Sequence, residues 1–84
     1  MTKKLPSESI QYYTSDLGCA TALVSVGHNI IGLDKEDPRR IGFIFHSDKN
    51  LEKAVDDYFA DRLLVNARTY FDNLRMVKNR IYRQ

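Results

Sequence analysis

The chain has 84 residues, 43% of them hydrophobic and 29% charged, with a formal net charge of +2. That is enough for one core and too little for two, and the composition is that of an ordinary folded domain. A single cysteine excludes an internal disulfide or a thiolate metal cage, and no run of about 18 apolar residues is present to span a bilayer.

Met1 to Glu8 contains two lysines and a proline but no apolar stretch of the kind a secretory signal needs. The lone cysteine suits a reducing compartment, so a cytoplasmic protein without membrane association is expected. Residues 1–8 read as a flexible tail and residues 9–84 as a single compact domain. Ile10 to Thr14 has the β-branched and aromatic content of a short strand. Thr14 or Ser15 then offers a hydroxyl to the free amides of a first helix, with Asp16 complementing its dipole. This helix runs to about Val26 with Leu17, Ala20, Leu23 and Val24 inward, and Gly27 supplies a left-handed stop.

His28 to Asp34 reads as the second strand, Ile31 and Leu33 on one face and Ile30 on the other. The polar loop from Asp34 to Arg39, with Pro38 in it, is a hairpin connection longer than two residues. It leads to Arg40–His46, where Ile41, Phe43 and Phe45 alternate onto one face and Ile44 makes the other face apolar too. Such a strand asks for cover on both sides, or for a central place in its sheet. A right-handed crossover makes the first two strands parallel, and the third then fits antiparallel between them; a simple meander is the alternative.

Ser47 and Asp48 cap the second helix. Leu51, Ala54, Val55, Tyr58 and Phe59 fall at i, i+3, i+4, i+7 and i+8, the clearest helical period in the chain. It ends near Asp61, and Arg62 to Val65 is an apolar connector that must tuck in. Asn66 caps a last helix to about Tyr82, with Ala67, Tyr70, Leu74, Val77 and Ile81 as its core stripe and Phe71 at the shoulder. The expected fold is α/β of the two-layer α+β kind, βαββαα, with a three-stranded mixed sheet of order 1-3-2 packed by helices.

Tyr13 to Leu17, Ala20, Leu23, Gly27, Pro38-Arg39, Phe43-Ile44-Phe45, Asn66-Ala67-Arg68, Leu74-Arg75 and Lys78 together resemble a small uncharacterised domain family of bacteria and their phages. The resemblance spans about Gln11 to Tyr82 and implies a stand-alone unit. It transfers no catalytic residue, because the family has no assigned function.

Charge is unevenly spread. Residues 66–84 hold Arg68, Arg75, Lys78, Arg80 and Arg83 against Asp72, a local +4, which leaves −2 on the other sixty-five. At 100° per residue Arg68, Phe71, Arg75, Lys78 and Tyr82 share one shoulder of the last helix. Guanidinium groups fork onto phosphate oxygens, and an accessible Tyr82 can stack on a base; Lys3 and Lys4 could add contacts. The plainer account is that cations favour a helix C-terminus and keep a core helix soluble.

Other candidates have stronger ordinary explanations. A hairpin register summing to about 74 would bring His28 opposite His46 with Asp48 behind, two imidazoles and a carboxylate for a divalent metal. Histidines at strand ends are common, however, and a structural zinc needs a fourth ligand. Cys19 within a helix is a small core filler before it is a nucleophile with His28 as base. Asp34, Glu36 and Asp37 beside Lys35, Arg39 and Arg40 read as a solvated loop. No catalytic, metal or cofactor site and no small-molecule substrate is evident. The expectation is a non-catalytic accessory protein that binds nucleic acid through the basic C-terminal helix. The alternative is a protein–protein interaction module or homo-oligomeric adaptor.

Overall fold

The computed structural model describes residues 10–82, so the expected N-terminal tail and Arg83 lie outside the described residues. Strand β3 (Gly42–His46) lies between β1 (Gln11–Thr14) and β2 (Ile30–Asp34), giving the order β1-β3-β2. Phe45 stands opposite Tyr12 on one side and Ile30 on the other, and Phe43 opposite Thr14 and Leu33. The strand order is the one read from the sequence, but the sheet is not mixed. Both ladders are antiparallel. β1 and β2 run the same way without touching, because β3 separates them; the fold is α+β with an antiparallel sheet.

Three helices complete the order βαββαα: α1 (Leu17–Ser25), α2 (Lys49–Phe59) and α3 (Ala67–Tyr82). Each begins on a side-chain oxygen that satisfies an amide left free by the first turn. For α1 this is Asp16, whose Oδ1 accepts from the Cys19 amide at 2.9 Å. The sequence reading gave that role to Thr14 or Ser15; Thr14 Oγ1 instead accepts from the Asp16 amide at 3.1 Å, fixing the approach to the cap. Asp48 accepts from the Leu51 amide at 2.8 Å, and Asn66 from the Thr69 amide at 3.0 Å. Gly27 closes α1 with φ +108°, a conformation that costs glycine little and other residues much.

Helix α1 is the middle of the helical layer and touches both α2 and α3. Five consecutive residues, Cys19 to Leu23, are buried, a helix enclosed nearly all round rather than one with a single inward stripe. Its small side chains permit the close approach. Ser25 Oγ donates to the Thr21 carbonyl at 2.8 Å and accepts from Asn73 Nδ2 at 3.1 Å, tying α1 to α3. Phe43, Phe45, Leu23, Leu51 and Val77 form the fully buried centre, drawn from the sheet and all three helices. At the edges the period overstates burial. Ala67, Phe59 and Phe71 are exposed, and Leu64 is 89% exposed while its neighbours Leu63 and Val65 turn partly inward.

The helices cover one face of the sheet only. On the other, Tyr13 is 51% and Ile31 53% exposed, with Ile44 half-buried between Tyr13 and Gly32. Ile31 and Leu33 were expected on one face. A bulge between Ile30 and Gly32 shifts the alternation, so that Ile30 and Leu33 both pack on the core and Ile31 turns out. The Tyr13 ring lies across Gly42, where any Cβ would collide with it. The central glycine thus lets an aromatic cover backbone that no helix covers.

Asp57 holds the turn between α2 and α3. Its carbonyl accepts from the amides of Arg62 and Leu63, and its carboxylate meets Lys53 Nζ at 3.0 Å and Arg62 at 3.2 Å. The hydrogen bond from Lys53, with Arg62 adding to it, holds its pKa below the ordinary carboxylate value.

Phe43→Ala or Phe45→Ala should cost about 3–5 kcal/mol, close to the whole stability of so small a domain, whereas Ile31→Ala should cost no more than about 1 kcal/mol. Urea unfolding followed by circular dichroism measures the contrast. Because the folded pKa of Asp57 is depressed, its stabilisation is present above the unfolded carboxylate pKa near about 4 and is lost as pH falls through the lower folded value. Asp57→Asn should therefore lower the urea midpoint at pH 7 and converge with the parent chain once the pH lies below the folded value.

Candidate nucleic-acid interface

The basic shoulder of α3 faces outward. Arg68, Phe71, Arg75, Lys78 and Tyr82 are all exposed, as a helix packed through Val77, Leu74 and Ile81 requires of the flank beyond its core stripe. The Arg75 guanidinium sits 5.7 Å from the centroid of the Phe71 ring, a cation–π contact that orders it without neutralising it. Arg68 is partly spent on Asp72 one turn on, through an exposed pair at 3.6 Å that stabilises little. Among the described residues Arg75, Lys78 and Arg80 make no ion pair. Arg80 does not share the shoulder. It lies across the helix and lines a shallow groove of about 400 Å³ with Asp72, Arg75, Met76 and Asn79.

Tyr82 stands at the end of this flank, 78% exposed. It borders a cleft of about 480 Å³ that the sequence reading did not anticipate. Leu17, Ile41, Phe43 and Ile81 supply its apolar side, and Ser15, Pro38, Arg39 and Arg40 its rim. The β2–β3 loop that carries the two arginines is built by its own hydrogen bonds. Asp34 Oδ1 accepts from the Glu36 amide and Asp37 Oδ1 from the Arg39 amide, each at 3.0 Å, and the Asp37 carbonyl accepts from the Arg40 amide at 2.9 Å. These local bonds set the turn. Arg40 Nε then donates to Ser15 Oγ at 3.0 Å, fixing its guanidinium beside the start of α1. Arg39 leans on Asp37 at 3.7 Å, its side chain 90% exposed.

Arg39 and Arg40 were read as part of a solvated loop. The signal that could have found them is the strand order: with β3 beside β1, the start of β3 must lie near the end of β1, next to Ser15. What no one-dimensional pattern supplies is that the end of α3 comes back to the same place.

The other candidates do not assemble. Cys19 is buried and its thiol pKa is raised by burial, the reverse of what a nucleophile needs. His46 pairs with Gln11 at the exposed end of β3. The β2–β3 ladder pairs positions summing to 75 or 76, not 74. His28 lines a separate cleft, with Asn50, Lys53 and Asp57, whose carboxylate is already engaged. Among the described residues no three His, Cys, Asp or Glu side chains converge as a metal site would. A further cleft of about 380 Å³, between Tyr58, Leu63, Val65 and Tyr70, is mainly apolar. No helix among the described residues is long and apolar enough to cross a membrane.

A family model described as a domain of unknown function, DUF5659, matches residues 9–83, nearly the whole chain. The chain belongs to that family. No curated protein and no solved structure gives a significant match.

Proposed function

We propose that this family member is a non-catalytic accessory protein of a bacterial cell or its phages, acting in the cytoplasm by binding nucleic acid along α3. Arg75, Lys78 and Arg80 contact phosphates, Arg68 contributes after exchanging its weak pair with Asp72, and Tyr82 offers a face to a base. Arg83, next in the chain, extends the same basic run. The observation that carries the reading is the junction of the α3 shoulder with Arg39 and Arg40. Two loop arginines stand beside the exposed tyrosine that ends the basic shoulder of α3, and helix-dipole complementarity accounts for the cations of α3 but not for that pair.

A second reading, self-association or an adaptor role, draws on a different surface. Tyr13, Ile31 and Ile10 lie exposed, and among the described residues one face of the sheet has no helix over it and both outer strands leave an open edge. The acidic side of α2, with Glu52, Asp56 and Asp57, could also meet the basic α3 of another copy.

Fluorescence anisotropy with labelled oligonucleotides tests the first reading. If about four phosphates are neutralised, affinity should fall roughly 50-fold for single strands and roughly 150-fold for duplex between 50 and 200 mM salt. Arg75→Ala with Lys78→Ala should weaken binding to all sequences and reduce the slope of log affinity on log salt by about 1.5. Absence of binding at low salt to both duplex and single strands contradicts it. Under the second reading, light scattering should give twice the monomer mass at high salt, and Ile31→Lys should return the monomer.

A further inference from the structure

We infer that the cleft between the β2–β3 loop and the end of α3 takes one unpaired nucleotide, its base against Tyr82 and its phosphate on Arg39 and Arg40. This rests on the nucleic-acid reading and specifies which form of nucleic acid the protein prefers. Of the four clefts described, this one combines two arginines with no carboxylate in its lining. The groove on the outer side of α3 contains Asp72, the cleft beside His28 contains Asp57, and the apolar cleft has no charged group. The lining itself carries no carboxylate; Asp37 stands behind Arg39, and Asp16 is engaged in capping α1.

The chemistry of the walls separates into two parts. Leu17, Ile41 and Ile81 are partly buried and form an apolar side against which an aromatic base can lie. Tyr82 gives that base a π-face, and base–aromatic stacking tolerates any sequence. On the rim, Arg40 is held through Nε by Ser15, which leaves the terminal nitrogens of the guanidinium as the fork for phosphate oxygens. Among the described residues Arg39 is paired only with Asp37, at a long 3.7 Å and in solvent, a contact that a phosphate displaces at little cost. A volume of about 480 Å³ lies within the range of small-ligand sites, about 300–1,000 Å³.

The geometry discriminates against duplexes. A paired, stacked base keeps its faces against its neighbours and cannot lie on the apolar side of this open cleft, whereas an unpaired base can be splayed onto it. Neighbouring nucleotides then run along Lys78 and Arg75, one turn and two turns back from Tyr82 on the same flank.

The test uses the full chain, a labelled oligo-dT single strand and a hairpin duplex of equal charge. Single strands should bind more tightly than the duplex. Tyr82→Ala and Arg40→Ala should each weaken single-strand binding about tenfold and reduce the preference for single strands over the duplex. The protein has no tryptophan, so Tyr82→Trp provides a lone reporter, whose fluorescence should be quenched by the single strand and not by the duplex. Equal binding of both forms, unaffected by Tyr82→Ala, overturns this inference and leaves binding along α3 standing. No binding of either form overturns both. Arg40-dependent binding of an acidic phosphopeptide, with oligo-dT inert, assigns the cleft to a protein ligand and likewise overturns the inference.

Discussion

Phe43 and Phe45 project from the middle strand into the core cluster that all three helices share, and the arrangement of the other elements follows from burying those two rings. A strand can send two large rings to the same side only by spending alternate positions on the other side. Here those are Gly42, Ile44 and His46. The helix above must come close to bury the rings fully, and α1 does so because its central residues are small: Cys19, Ala20 and Ala22 beside Leu23. Helices α2 and α3 then flank α1, adding Leu51 and Val77 to the same cluster. With so few fully buried large side chains, little of the core is redundant.

The same arrangement determines what remains available to a partner. All three helices are committed to one face, so among the described residues the outer face of the sheet is served by local devices, the Tyr13 ring over Gly42 and the bulge that turns Ile31 outward. Helix α3 is packed along one stripe, and its other flanks carry the charge. Its last turn returns to the start of β3, because Ile81 must reach the end of the core near Ile41 and Phe43. That return brings Tyr82 beside Arg39 and Arg40. The candidate interface is thus a by-product of closing a small core, in which a loop and a helix end are forced to be neighbours.

Much of the architecture was legible in the sequence. The β-rich segments, the i, i+3, i+4 spacing in α2, Gly27 and the Asp48 and Asn66 caps all act locally, through backbone geometry and hydrogen bonds within a few residues. The order of the strands followed from connection rules. What escaped was decided by tertiary packing. Leu64 and Ala67 satisfy an apolar pattern yet face solvent, because the turn at Asp57 directs Leu63 and Val65 inward instead. The bulge separated Ile31 from Leu33 and put Ile30 on the core side with Leu33, and one inserted residue has no strong signature in an apolar run such as Ile30-Ile31. For the site, α3's basic shoulder could be seen on a helical wheel, while Arg39 and Arg40 could not, since their value lies in their distance from Tyr82 in space rather than along the chain.

On the proposed reading, the joint between the β2–β3 loop and the last turn of α3 is where this fold meets its ligand. Amide chemical-shift mapping by nuclear magnetic resonance, with a single-stranded oligonucleotide titrated into the labelled protein, tests it most directly. The perturbed amides should cluster at residues 39–41 and 75–82, with those of α2 and the outer sheet face unmoved. Shifts centred on Tyr13, Ile31 and Ile44, or confined to α2, would contradict it.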